Sequence, residues 1–164
     1  MTPDTRTHPA PRRWLLLLLF LGICYAVAAV GAVAAVDAGS TYTSLRLPAW
    51  APPGSLFGPV WTVLYGTVAV AGWLVARGQE PGRRSALLWW SVQLAFNLAW
   101  TPLFFAAGQY GAALADILLL VAALLVTVVK FARLHTRAAV LLVPYLVWVC
   151  YASALNWSIW QANT

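Results

Sequence analysis

Apolar residues occur along this chain in long continuous runs, and polar residues fall mainly between them. A helix needs about 20 residues to cross a hydrocarbon core of about 30 Å. Five runs meet that length, and because they are continuous rather than alternating they predict helices and exclude a membrane β-barrel. The predicted spans are residues 14–36, 55–77, 84–107, 110–134 and 137–160.

These spans use nearly all of the 164 residues and leave no room for a soluble domain. The fold class is therefore an all-α integral membrane protein, a five-transmembrane-helix bundle forming one domain over residues 1–164. A composition that is 62% apolar and 9% charged favours the same class. The first run is too long for a removed signal peptide. One connection, the loop 37–54, is long enough to cover part of the bundle.

The basic residues are distributed unequally between the two sides of the predicted bundle. Nine of the ten lie on one side, and only Arg46, in the loop 37–54, lies on the other. The positive-inside rule then places the N-terminus in the cytoplasm, with the loop and the C-terminus outside. Nucleic-acid binding is excluded because the charges form short clusters beside the membrane. The nine are Arg6, Arg12, Arg13, Arg77, Arg83, Arg84, Lys130, Arg133 and Arg137.

The chain has few side chains that could act in conventional catalysis or bind a metal. Cys24 and Cys150 fall inside predicted spans, where a thiol packs as a small apolar group. No His, Cys or carboxylate pair has metal-ligand spacing, so neither a metal site nor a required cofactor is predicted. Asp116 is a carboxylate at membrane depth. It is either a functional ionisable group or a structural acceptor for a neighbouring Trp, Tyr or helix N-terminus.

Tryptophan is unusually frequent, with ten residues, and several lie well inside spans rather than at the headgroups. Aromatic and amide side chains form stripes at helical spacing, and because amides are costly in lipid the stripes should face inward. They either join the helices or line a ligand cavity. The stripes are Phe57, Trp61 and Tyr65; Gln93, Asn97 and Trp100; and Tyr145, Trp148, Ala152 and Asn156.

The segment PAWAPPGSLFGPVW at residues 48–61 joins the first two spans. Proline fixes φ and has no N–H to donate, so this segment is predicted to be neither a helix interior nor a strand but a shaped loop.

Three blocks carry a resemblance to a known family. They are WAPPGSLFGPVWTVLYG at 50–66, QLAFNLAWTPLFF at 93–105 and PYLVWVCYASALNWSIWQAN at 144–163. In this order they resemble the signature blocks of the translocator protein family, also called tryptophan-rich sensory proteins (TspO/MBR). The resemblance implies a five-helix bundle, often a homodimer, that binds porphyrins such as protoporphyrin and haem, and benzodiazepine-type drugs, in a cavity beneath the first loop.

The resemblance also implies which residues line that cavity. The loop 37–54 would act as its lid, with prolines that limit the conformations it loses on closing. Tetrapyrrole propionates would reach Arg46 or loop N–H groups at the rim. The implied ligand-binding residues are Tyr42, Trp50, Trp61, Tyr65, Asn97, Trp100, Trp148, Ala152 and Asn156.

One motif of the animal members is missing. Their cholesterol motif places a basic residue after a tyrosine of the last helix, whereas no basic residue follows Tyr151 here. Cholesterol is therefore not an expected partner. The bias towards Ala, Arg, Leu and Val predicts a protein of a bacterial cell membrane.

Three functions are open at this point. The first is a receptor or sensor of tetrapyrroles in tetrapyrrole and stress responses. The second is a light-dependent enzyme that degrades protoporphyrin, with Trp61 and Trp148 as redox partners of the bound ring. The third is a transporter of tetrapyrroles or sterols, for which inverted repeats or an ionisable relay would be expected.

Overall fold

The computed structural model describes residues 10–163, with side chains from Arg13 onward. A 3-10 turn over Gly54–Leu56 leads into the third α-helix, and a π-helical turn over Pro102–Ala106 follows the fourth. The α-helices of the described part are α1 (Ala10–Ala34), α2 (Ala38–Ser44), α3 (Phe57–Ala76), α4 (Arg83–Thr101), α5 (Tyr110–Leu134) and α6 (Thr136–Asn163).

The predicted count of five helices is wrong for this part of the chain, which contains six. The additional helix, α2, has 7 residues and lies inside the predicted loop 37–54. At about 1.5 Å per residue it is far too short to cross a membrane. The five long helices lie at the predicted spans. Four of them, α1, α3, α5 and α6, are long and apolar enough to cross a membrane; α4, which carries Arg83, Arg84 and two amides, is not among them.

The breaks between helices occur at proline and glycine. Pro102 has no N–H to donate into α4, and the chain widens there into the π-helical turn, where Ala107 N–H donates to Pro102 O at 2.9 Å. Gly82 and Gly108 have φ angles of 90° and 61°, which residues with a side chain rarely adopt. These two glycines let the chain reverse direction before α4 and before α5.

The five long helices form a closed ring. α3 packs against α1 and α6, α5 packs against α6 and α4, and α4 returns to α1. The contact between α1 and α4 is the least extensive in the ring. Gly31 lies on it, and a Cβ added there would lie 3.6 Å from Thr101 Oγ1. A small residue at this position therefore lets the ring close.

The two ends of the ring differ in packing. At the end where α3 finishes, the rings of Phe20 and Trp90 have centroids 4.9 Å apart, and Trp90 Nε1 donates to Val68 O at 3.0 Å. A Cβ added to Gly72 would lie 2.7 Å from Phe20 and 2.8 Å from Trp90, so this end is fully packed. We call the opposite end, where α1 finishes and α3 begins, the loop end.

The charges also separate by end. Arg77 and Arg83 flank the connection between α3 and α4 at the fully packed end, whereas Arg46 lies at the loop end. Of the nine basic residues predicted to share one side, Arg6 lies outside the described residues. The side chain of Arg12 also lies outside the described part.

Candidate functional site

A cavity of about 710 Å³ lies at the loop end, between α1, α2, α3 and α4. Its volume is within the range of about 300–1,000 Å³ that is typical of small-molecule sites. Its lining residues are Tyr25, Ala28, Gly31 and Ala32 on α1; Ala35 directly after it; Ala38, Gly39, Tyr42 and Thr43 on α2; Gly54 and Ser55 in the following turn; Phe57, Gly58, Trp61, Thr62 and Tyr65 on α3; and Asn97, Trp100, Thr101 and Phe105 from α4 onward.

Five of the nine residues predicted to bind ligand line this cavity. Trp61 and Tyr65 come from successive turns of α3, and their rings have centroids 5.4 Å apart. Tyr42 comes from α2, and Asn97 and Trp100 come from α4. The structure thus brings one aromatic stripe of α3 and one mixed stripe of α4 to the same space.

The other four predicted residues do not line this cavity. Trp50 is 47% exposed, and its ring lies against Tyr151 with centroids 5.6 Å apart. Trp148 lies against Phe57 at 5.9 Å. Ala152 and Asn156 line a separate pocket of only about 20 Å³.

A wall of aromatic rings lies between the two spaces. Tyr42, Phe57, Trp100 and Phe105 line both the large cavity and the small pocket. The rings of Tyr42 and Phe57 meet edge to face, with centroids 5.4 Å apart. These rings therefore separate the large cavity from α6, which explains why the α6 stripe does not reach it.

Below the cavity, hydrogen bonds form a buried chain across three helices. The Tyr65 hydroxyl donates to Asn97 Oδ1, and Asn97 Nδ2 donates to the Tyr145 hydroxyl at 3.0 Å. That hydroxyl donates to Gln93 Oε1 at 3.0 Å, and Gln93 Nε2 donates to Trp90 O at 2.9 Å. Each of these two amides uses both its oxygen and its nitrogen within the protein. The amide stripe of α4 therefore joins helices, and because Asn97 also lines the cavity, both interpretations of this stripe hold.

Asn156 connects helices in the same way. Its Oδ1 accepts from Trp100 Nε1 at 3.0 Å, and its Nδ2 donates to Tyr110 O at 2.9 Å. The indole of Trp100 is thereby fixed from the side opposite the large cavity. Asn156 thus orients a wall residue of that cavity without lining it.

Tyrosine hydroxyls hold the loop 37–54, one by a bond within the loop and one by a bond from α6. Tyr42 donates to Pro52 O at 2.9 Å, and Tyr151 of α6 donates to Trp50 O at 3.0 Å. Burial raises the pKa of Tyr42 above its ordinary value, and the nearby Tyr151 raises it further. The Tyr42 hydroxyl therefore keeps the proton that it donates.

Asn163, at the end of α6, is a second point at which the bundle holds the loop. Arg46 N–H donates to Asn163 Oδ1 at 3.0 Å, and Asn163 Nδ2 donates to Arg46 O at 3.2 Å. An amide side chain that pairs with both backbone groups of one residue acts like a neighbouring strand. The sequence pattern did not identify this role, because nothing in the periodicity of α6 links Asn163 to a loop 117 residues earlier.

The contribution of α1 was also missed. Tyr25, Ala28, Gly31, Ala32 and Ala35 all line the cavity, yet no residue of the first span was predicted to do so. The sequence feature that could have indicated this role is the frequency of alanine and glycine between Ala26 and Ala35. Such small residues leave space that larger side chains would fill.

Asp116 and Trp148 each hold a buried polar atom without a partner. Asp116 Oδ2 and Trp148 Nε1 have no hydrogen bond to any residue of the described part. Asp116 does not line the cavity. The structural role predicted for Asp116, as an acceptor, is therefore not seen for this oxygen.

The comparisons with known proteins agree with this architecture. The sequence pattern of the TspO/MBR family matches residues 20–161. This chain belongs to the TspO/MBR family. It is 39% identical over 150 residues to the tryptophan-rich sensory protein of Cereibacter sphaeroides, covering 92% of each chain. It is 40% identical over 153 residues to the tryptophan-rich protein TspO of Chlorobaculum tepidum, covering 91% of this chain and 96% of that one.

The similarity extends to an animal member of the TspO/MBR family. The chain is 38% identical to the human translocator protein over 125 residues, which cover 74% of each chain. The family match and the apolar helices together make this chain an integral membrane protein.

Proposed function

We propose that this protein is a membrane receptor that binds tetrapyrroles, such as protoporphyrin and haem, in the cavity at the loop end. The observation that carries the proposal is a space of about 710 Å³ with aromatic walls beneath a loop fastened to the bundle. Binding there would regulate tetrapyrrole or stress responses.

The chemistry of the walls favours a large, flat, apolar ligand. Hydroxyl groups line the cavity, but most of them already donate within the protein: Tyr25 to Thr62 O, Thr62 to Gly58 O, and Thr43 to Gly39 O. Few donors remain for a polar ligand. The indoles of Trp61 and Trp100 instead offer faces and edges on which a conjugated ring can stack.

The expected energy agrees with this class of ligand. Each 100 Å² of apolar surface removed from water contributes about 2.5 kcal/mol, before the loss of translational and rotational freedom is subtracted. A tetrapyrrole presents several such areas. Its propionates are anionic, and the exposed Arg46 of the loop 37–54, which does not itself line the cavity, would offer them charge-assisted hydrogen bonds.

The orientation and partners follow from the same features. Arg77 and Arg83 lie at the end opposite the loop, so the N-terminus would be cytoplasmic and the cavity would open towards the outer face of a bacterial cell membrane. Membrane lipid surrounds the bundle, and a homodimer is expected. Benzodiazepine-type drugs would fit the same aromatic walls, whereas cholesterol is not expected.

A titration with protoporphyrin tests the proposal. We expect saturable quenching of tryptophan fluorescence in the wild type and weaker binding in Trp61→Ala, because one stacking face is lost. Trp157→Ala is the matched control, since Trp157 is 51% exposed and lies outside the cavity. Absence of saturable binding in the wild type, or equal affinities in both variants, would contradict the proposal.

Light-dependent degradation of protoporphyrin is the second candidate, and the position of Trp61 in the cavity wall favours it. Trp148, the other predicted redox partner of the porphyrin, lies against Phe57 and does not line the cavity. We therefore expect Trp61→Phe to slow light-driven porphyrin loss more than Trp148→Phe does, after correction for the bleaching of free porphyrin. Equal rates in the wild type and both variants would rule out the enzyme.

A further inference from the structure

We infer that Thr101 and Ser55 bind the acidic groups of the ligand, so that a bound tetrapyrrole lies with its propionates towards the loop end of the cavity. The inference rests on the proposed function, because it takes the cavity to be a tetrapyrrole site. It adds the direction in which the ligand lies and the two hydroxyl groups that favour an acidic ring over a neutral one.

Most of the hydroxyl groups that line the cavity have already used their proton. A hydroxyl group has one proton to donate, so one that donates within the protein can only accept a hydrogen bond from a ligand. The lining hydroxyl groups that donate to acceptors in the protein are those of Tyr25, Tyr42, Thr43, Thr62 and Tyr65. The other two, on Ser55 and Thr101, donate to no residue of the part of the chain that the structure describes.

Thr101 is unusual for a threonine in a helix. Thr43, Thr62 and Thr127 each donate to the carbonyl group four residues earlier in their own helix. Thr101, the last residue of α4, makes no such bond within the described residues. Its hydroxyl group instead lies beside α1, where a Cβ added to Gly31 would lie 3.6 Å from Thr101 Oγ1. A larger residue at position 31 would therefore cover this hydroxyl group.

The Thr101 oxygen meets open space. Among the described residues the enclosed polar side-chain atoms without a partner are Asp116 Oδ2 and Trp148 Nε1, and Thr101 Oγ1 is not one of them. Thr101 is half-buried and lines the cavity, so the space that its oxygen meets is that of the cavity. A ligand can accept its proton without breaking any hydrogen bond of the protein.

Both of these hydroxyl groups lie at the loop end. Ser55 is exposed in the turn that precedes α3, and Thr101 ends α4. The N–H of Trp61 is also unpaired in the described part, and it lies one turn into α3. The buried hydroxyl group of Tyr65, one turn further along α3, is bonded to Asn97. The hydroxyl donors that remain for a ligand are therefore near the loop, and aromatic faces lie below them.

An acidic ligand should follow this division. An ionised carboxylate only accepts hydrogen bonds, and burying it without donors is costly. At the loop end a propionate could accept from Thr101 and Ser55, and because Ser55 is exposed the propionate would also keep contact with water. The tetrapyrrole ring has no such requirement and would lie deeper, against Trp61. Arg46 does not line the cavity and would act on the propionates only from outside it.

Two porphyrins, one acidic and one neutral, test the inference. Protoporphyrin carries two propionates, whereas etioporphyrin has the same ring system with alkyl groups alone. Thr101→Val removes one hydroxyl group and keeps the shape, Thr101→Ser keeps the hydroxyl group, and Ser55→Ala removes the other. Thr67→Val is the matched control, since Thr67 donates to Leu64 O within α3 and does not line the cavity. Binding to the full chain in detergent is followed at neutral pH by tryptophan quenching.

We expect Thr101→Val to bind protoporphyrin about tenfold more weakly than the wild type, because a hydrogen bond to a charged group is lost. The loss in Ser55→Ala should be about threefold, since Ser55 is exposed and water replaces it. Both variants should bind etioporphyrin within about twofold of the wild type, and Thr101→Ser and Thr67→Val should do so for both porphyrins. Equal losses for the two porphyrins in Thr101→Val would overturn the inference. So would a protoporphyrin affinity in Thr101→Val that matches Thr67→Val, or one in Thr101→Ser as low as in Thr101→Val.

A flat acid that is not a tetrapyrrole separates the inference from the proposed function. Pyrenebutyric acid and butylpyrene share one ring system, and only the first carries a carboxylate. The ratio of their affinities, corrected for partitioning into detergent, should fall about tenfold in Thr101→Val and in a second variant, Thr101→Ala. This fall, together with no saturable binding of protoporphyrin by the wild type, would refute only the proposed function. An unchanged ratio in both variants would overturn the inference.

Discussion

Replacing Asn163 with alanine should free the loop 37–54 from the end of α6 without unfolding the bundle. The change removes the acceptor of Arg46 N–H and the donor to Arg46 O, which lie at 3.0 and 3.2 Å. It also removes a bond from Nδ2 to Ile159 O within α6. Only the first two bonds join the loop to the helix, so the effect should be local.

The size of the effect follows from these two bonds. A typical hydrogen bond in a protein contributes about 0.5–1.5 kcal/mol net, and because Arg46 is exposed the lower part of that range applies. The local opening of the loop should therefore become about 1–2 kcal/mol easier. That change corresponds to about 5–30 times more of the open form.

Hydrogen exchange measures this opening directly. The Arg46 amide should exchange faster by the same factor in Asn163→Ala, while amides in the middle of α3 and α5 should exchange as in the wild type. Gln161→Ala is the control, because Gln161 is exposed in the same turn of α6. If Arg46 exchanged no faster in Asn163→Ala than in Gln161→Ala, the fastening role of Asn163 would be wrong.

Three further predictions concern the core and the orientation. Tyr145→Phe removes the partner of Asn97 Nδ2 and of Gln93 Oε1, both buried, and should lower the unfolding free energy by about 2–4 kcal/mol in detergent; a loss below about 1 kcal/mol would contradict the buried chain. Gly72→Ala should destabilise by about 1–3 kcal/mol through overlap with two rings, whereas Gly22→Ala, with nothing within 4 Å, should not; equal melting temperatures would argue against the packing. A reporter active only in the cytoplasm should work at Gln79 and fail at Thr164, and the reverse would invert the orientation.

The long helices could be predicted because membrane length and continuous apolarity leave few alternatives. The predicted span 110–134 has the same bounds as α5. The short helix α2 could not be predicted in this way, because AGSTYTS carries no apolar period and its helix depends on the surrounding loop. Its presence accounts for the wrong helix count.

The candidate site was predicted in part, and the division has a physical reason. A stripe of side chains defines a helix face but not the neighbour that it meets. Trp61 and Tyr65 face the cavity, whereas Ala152 and Asn156, on an equally regular stripe, face a pocket behind Phe57. The arrangement of helices around the ring decides this, and no local pattern encodes it.

The position of the cavity was harder to predict than the contacts between helices. No residue of the first span was predicted to line a cavity, although Ala28 and Ala32 do so. The same composition occurs where helices pack closely, as at Gly31 against Thr101. Only the three-dimensional arrangement distinguishes a small residue that closes a contact from one that leaves a gap.

The fastening of the loop by α6 has a consequence for biosynthesis. Arg46 and Asn163 are 117 residues apart, and Trp50 and Tyr151 are 101 apart. The loop therefore leaves the ribosome long before the side chains that hold it are made. Until α6 has inserted, Arg46 and Trp50 have no partner to hold them and the ring of helices is open between α3 and α5, so the loop of a nascent chain stalled before α6 should be unfastened.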